Sequence, residues 1–234
     1  MKQYFNLTSS LTYSFIASLP LFILYEILIR ISQPDSEAVV RLSAEIWLSQ
    51  LLFLIHENTL ILSLGVLVIL GGIIFYMDRE KSIQLKPQYF MGIIAESTVW
   101  AFVLAVIISG FLGWLFMADG MSGSTTKLQM LALSIGAGLY EELVFRVILV
   151  YALIWFFSFF TDKKMAIVLS VLIAAAIFSF VHYIGSYGDT FTLASFLFRM
   201  IFGLALNALL VIRGFGITAW THSLYDVMLV IFII

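Results

Sequence analysis

Apolar runs of about twenty residues recur along the whole chain, separated by short polar stretches. A run of roughly 18 or more apolar residues is long enough to cross a bilayer as a helix. Such runs cover residues 11–31, 44–76, 89–117, 128–160, 166–183, 191–211 and 215–234. The 44–76 run is interrupted only by His56-Glu57-Asn58. It reads either as a short membrane-associated helix followed by a span or as two tight spans. Residues 118–127, ADGMSGSTTK, read as a Gly/Ser loop. The alternating pattern of a membrane barrel is absent. The expected fold is an all-α polytopic transmembrane helix bundle with about seven or eight spans.

Composition agrees with this. Hydrophobic residues make up 62% and charged residues 11% of the chain, whereas a soluble domain is nearer a quarter charged. The net charge of -2 and the lack of any Lys/Arg block give no footprint of a nucleic-acid partner. The absence of cysteine removes disulfides, thiolate catalysis and cysteine-held metals. The first run is long for a signal-peptide core and lacks a clear cleavage pattern. It is expected to be a retained helix kinked at Pro20. The chain reads as one integral membrane domain over 1–234. Residues 1–127 are less diagnostic, and residues 128–234 carry the chemistry.

Lys/Arg bias sets orientation in membrane proteins. With an inside N-terminus and a single crossing in 44–76, Lys2, Arg79, Lys81, Lys86, Lys163, Lys164 and Arg213 fall inside. Arg41 and Lys127 fall outside.

Glu141-Glu142, followed by Arg146, interrupts the apolar run LALSIGAGLYEELVFRVILVYALIWFF. Charges at membrane depth are costly and mark functional sites by default. Glu142 and Arg146, four apart, share a helix face and are expected to pair. Glu141 points about 100° away and is free to face another cavity. Gly136 and Gly138 precede the pair and permit close helix approach. His182 follows Phe178 by four residues, and His222 precedes Asp226 by four. Asp226 is placed to orient or polarise His222. Carboxylate with imidazole is equipment for activating water. Two histidines and a carboxylate also make a plausible zinc set, with Glu141, His182 and His222 as the ligands.

Other polar residues fall at apparent membrane depth. Glu26 and Arg30 are expected to pair. Glu96 reads as a solvated or capping residue and His56-Glu57 as an interfacial turn. Arg199 and Asn207 read as lining the bundle interior, where Arg199 is a candidate for a substrate carboxylate.

EExxxR at 141–146, FxxxH at 178–182 and HxxxD at 222–226, in that order on successive membrane segments, resemble the CPBP intramembrane proteases. That family joins CAAX-protein proteases, bacteriocin-processing proteins and Abi-like proteins. The resemblance implies an intramembrane endopeptidase, multi-pass in a prokaryotic cytoplasmic membrane. Its substrate would be a protein or peptide, prenylated or carrying a C-terminal sorting or anchor segment, admitted laterally or from the inner face. It implies that Glu141 and His182 activate water and that Glu142, Arg146 and Phe178 support the site. It implies that His222 and the residue four later stabilise the oxyanion. That residue is commonly Asn in the family and is Asp226 here; an ionised Asp cannot donate a hydrogen bond. The resemblance leaves open whether the mechanism is glutamate-type, with no cofactor, or metallo-type, with zinc. The alternatives are a proton-coupled transporter and a catalytically inactive scaffold or immunity protein of the same family.

Overall fold

The computed structural model describes residues 2–34, 39–81, 83–112, 126–185 and 188–232. Among these the chain is helical throughout, with no strand. A short α1 (Lys2–Thr8) precedes α2 (Leu11–Ile31), α3 (Ser43–Phe53) and α4 (Thr59–Asp78), which ends in the 3₁₀ turn Arg79–Lys81. Next come α5 (Pro87–Leu112) and α6 (Lys127–Gly136). The π-helical stretch Ala137–Val150 follows α6 without a break and leads directly into α7 (Tyr151–Phe157). The chain closes with α8 (Lys163–Val181), α9 (Leu193–Arg213) and α10 (Phe215–Phe232).

The polar punctuation between apolar runs serves as helix caps. Side chains of Ser10, Asn58, Thr126 and Thr192 each accept from the backbone amide three residues on. Asp162 accepts from Lys164 and Met165. Each cap satisfies an amide that has no partner within its helix. Gly214 turns the chain from α9 into α10 at φ 80°, ψ 175°, a conformation essentially confined to glycine.

Among the described residues six helices are long and apolar enough to cross a membrane: α2, α4 with its 3₁₀ turn, α5, α8, α9 and α10. The continuous helix from Lys127 to Phe157 is long enough to be a seventh. The 44–76 run resolves into the first of its two readings. The 11 residues of α3 reach only about 16 Å at 1.5 Å per residue, too short to span. Helix α2 runs through Pro20 as one element. Helix α5 ends at Leu112, and most of the expected Gly/Ser loop at 118–127 lies outside the described residues.

Helix α10 packs against α5, α6, the π stretch, α2 and α9, and so forms the axis of the bundle. One end is closed by polar ties. The Asp78 carboxylate accepts from the Thr12 amide (3.0 Å) and hydroxyl (2.8 Å), joining the end of α4 to the start of α2. Tyr13 Oη donates to the Gln84 carbonyl at 2.7 Å and accepts from the Lys86 amide at 2.8 Å. Arg213 donates to Glu96 (2.6 and 2.8 Å), the Phe5 carbonyl (3.1 Å), Ser9 (2.7 Å) and Thr8 (2.8 Å). Glu96 is therefore neither a cap nor a solvated residue. It is half-buried, and it also accepts from Tyr4 Oη at 2.8 Å. Helix periodicity could not reveal a partner 117 residues away.

The opposite end gathers the end of α2, the start of α3, the end of α8 and the start of α9. Ser179 Oγ donates to the Phe196 carbonyl there, at 2.7 Å.

Candidate active site

Both glutamates lie on the π stretch. Such i→i+5 winding is rare and concentrates at functional sites. Neighbouring residues of a helix point to different sides, and the two carboxylates enter different surroundings. Glu142 is fully buried, whereas Glu141 is partly exposed. Gly138 brings the stretch against α10: a Cβ there would stand 2.5 Å from the Ala219 carbonyl oxygen and would collide with Ser223 Oγ. Gly136 does the same for α2, where a Cβ would meet the Tyr25 ring at 2.5 Å.

Glu142 is the centre of a buried polar chain. Its Oε2 lies 3.2 Å from Arg146 Nε, and its Oε1 lies 2.6 Å from His222 Nδ1. His222 Nε2 in turn lies 3.4 Å from Asp226 Oδ2. Both ring nitrogens of His222 therefore face carboxylates. The guanidinium carbon of Arg146 stands 4.0 Å over the Phe178 ring. Its three nitrogens are buried and make no hydrogen bond of good geometry within the protein. The expected Glu142–Arg146 and His222–Asp226 pairs are both present.

Glu141 and His182 share a different space. A cavity of about 190 Å³ is lined by both, by Phe145 and Val181, and by a roof made of residues 40–44 and Trp47. His182 caps the C-terminus of α8, and its Nδ1 lies 2.8 Å from the Phe178 carbonyl. A carbonyl can only accept, so in the neutral ring Nδ1 carries the proton and Nε2 is left as the base. Phe178 thus does two things at once. Its carbonyl fixes His182, and its ring packs edge-on against His182 (5.0 Å) and His222 (6.5 Å). His222 and Asp226 do not line this cavity.

The sequence reading missed the roof. Arg41 lines the Glu141–His182 cavity and also a second one of about 300 Å³, bounded by Glu26, Glu45 and Tyr140. Arg41 is held by Glu45 and by Glu26, the latter at 3.2 Å, while Tyr25 donates to Glu45. Burial pushes the Glu45 carboxyl above its usual range, against the pull of Tyr25 and Arg41. The expected Glu26–Arg30 pair is present at 3.4 Å and exposed on the arginine side. Only that i,i+4 spacing was legible; Arg41 lies 15 residues from Glu26.

Arg199 is engaged within the protein. It donates to Asp189 at 2.5 Å and to Tyr183 Oη at 2.9 Å, and it also bonds Ser195. Asn207 is buried and donates to the Val171 carbonyl at 2.9 Å. His56 accepts from the Asn58 amide in an exposed turn.

A metallo-type site would need Glu141, His182 and His222 around one ion. Among the described residues no three of His, Cys, Asp and Glu are grouped to hold a metal. His222 faces Glu142 and Asp226 and lies outside the cavity that Glu141 and His182 share.

Residues 123–228 match the family model described as type II CAAX prenyl endopeptidase Rce1-like. The match covers a little under half of the chain and likens this segment to the CAAX proteases. The match contains all three motifs, from Glu141 to Asp226. No curated protein and no solved structure matches the chain. The match and the apolar helices support, at family level, a membrane-embedded endopeptidase of the CAAX type with a protein or peptide substrate.

Proposed function

We propose that the chain hydrolyses a peptide bond of a membrane-associated protein or peptide, with Glu141 and His182 activating the water. The observation that carries this reading is that the two side chains line one cavity, while every other charged group of the three motifs is engaged behind it. Water held between the Glu141 carboxylate and His182 Nε2 gives its proton to Glu141 as its oxygen bonds to the carbonyl carbon. Glu141 then returns that proton to the leaving amine as the C–N bond breaks. The chain Arg146–Glu142–His222–Asp226 braces the π stretch so that Glu141 faces the cavity. For His222 to stabilise an oxyanion it would have to turn out of its pairing with Glu142. Prenylated C-terminal segments and sorting or anchor segments are the substrate classes to try first.

The test is cleavage in membranes of prenylated and unprenylated C-terminal peptides, with and without a zinc chelator. Glu141→Gln and His182→Ala should each lower kcat by about 10²-fold or more, the range of lost acid–base catalysis, while the protein still accumulates. Full activity in either variant removes the assigned roles. Loss of wild-type activity with chelator replaces the glutamate-type mechanism with a metallo-type one.

A further inference from the structure

The cavity sits at one end of the bundle, and the charges say which face of the membrane that end meets. Thr12 at the start of α2 bonds Asp78 at the end of α4, and Arg213 at the end of α9 bonds α1. The start of α5 joins them through Tyr13, and the start of α8 lies at the same end because α8 runs antiparallel to α9. Seven of the chain's twelve Lys and Arg fall here: Lys2, Arg79, Lys81, Lys86, Lys163, Lys164 and Arg213. The cavity lies toward the other end, built from residues 40–47 after α2, Leu133, Glu141 and Phe145 of the Lys127–Phe157 helix, and Val181 and His182 at the end of α8. That end holds four cations: Arg30, Arg41, Lys127 and Arg199. Three cations at each end are ion-paired, so the contrast between the ends is one of number, seven against four. Arg146 is the twelfth and lies buried between.

Cytoplasmic loops carry the excess of Lys and Arg. We infer that the Glu141–His182 cavity opens on the face of the membrane opposite the cytoplasm, so that its substrate is a peptide segment presented from the outer side. An exported peptide, or the outer end of a membrane-anchored protein, meets this requirement. A C-terminus confined to the cytoplasm does not. The inference narrows the function proposed above, whose substrate was expected laterally or from the inner face. It rests on that reading for its substrate but not for its sidedness.

The absence of cysteine makes the sidedness directly measurable. Single cysteines are placed at exposed positions of the two ends, Thr190→Cys at the cavity end and Glu80→Cys at the basic end. A membrane-impermeant maleimide is then applied to intact bacterial cells expressing the full chain. The expected result is labelling of Thr190→Cys in intact cells and of Glu80→Cys only after permeabilisation. Glu57→Cys and Gln84→Cys provide a second pair should one of the first fail to accumulate. The reverse pattern, or equal labelling of both ends, overturns the inference. In a second arm, peptide is added to right-side-out or inverted vesicles of the wild type. Cleavage confined to right-side-out vesicles supports the inference, and cleavage confined to inverted vesicles overturns it. Outside labelling of Thr190→Cys with no cleavage from either side leaves the sidedness standing and removes the proposed protease function.

Discussion

Arg146 lies flat over the Phe178 ring, its guanidinium carbon 4.0 Å from the ring centroid, while its Nε reaches Glu142 at 3.2 Å. The same phenylalanine fixes His182 through its carbonyl. One residue of α8 therefore connects the buried ion pair to the cavity histidine. An arginine buried this completely depends on its carboxylate and on the ring face, because burial removes it from bulk solvent.

Removing Arg146 strands the buried Glu142 carboxylate. Arg146→Ala should destabilise the protein by about 3–5 kcal/mol, the cost of breaking a buried pair from one side. Arg146→Lys keeps the charge but loses the planar stack, and should fall between. Thermal unfolding in detergent reads both. A change below about 1 kcal/mol for Arg146→Ala would show that the pair contributes little.

Gly138 is where the π stretch meets α10. A methyl group there collides with Ser223 and with the Ala219 carbonyl, which is backbone and cannot rotate away. Gly138→Ala should cost about 1–3 kcal/mol as overpacking. Gly65→Ala, which meets nothing within 4 Å inside α4, is the matched control and should stabilise by up to about 1 kcal/mol through helix propensity. Equal effects of the two substitutions would contradict this packing.

Arg199 grips both sides of the loop after His182. It bonds Tyr183, the next residue, and Asp189, whose amide donates to the His182 carbonyl at 2.9 Å. The Asp189 side chain is about half exposed, so the ion pair itself is worth less than about 1 kcal/mol. Arg199→Gln should accordingly leave stability nearly unchanged. It should lower kcat by about tenfold, as small displacements of a reacting group do, with KM little altered. Histidine-labelled NMR is a second readout, since the chain has three histidines. The His182 signals should move while those of His56 and His222 stay. Unmoved His182 signals would mean the loop does not position the ring.

Local spacing carried much of the site. The i,i+4 pairs Glu26–Arg30, Glu142–Arg146 and His222–Asp226 were legible because helix geometry alone brings such residues together. The Glu96–Arg213 pair was not, and Glu96 was misread as a consequence. The same limit hid Arg41 and Trp47, which roof the cavity from a segment about one hundred residues upstream of Glu141. Nothing in the motifs points back to them.

The sequence alone determined that this chain is a membrane helix bundle, because apolar runs of spanning length leave the backbone no other way to satisfy its polar groups. It also determined which residues carry charge at membrane depth, and their order matched one protease family. Only the tertiary structure decided that Glu141 and His182 share a cavity while Glu142 and His222 close on one another behind it. That division follows from what packs on each side of the helix: Gly138 lets α10 come close enough for His222 to hold Glu142, while residues 40–47 and the end of α8 enclose the side that Glu141 faces.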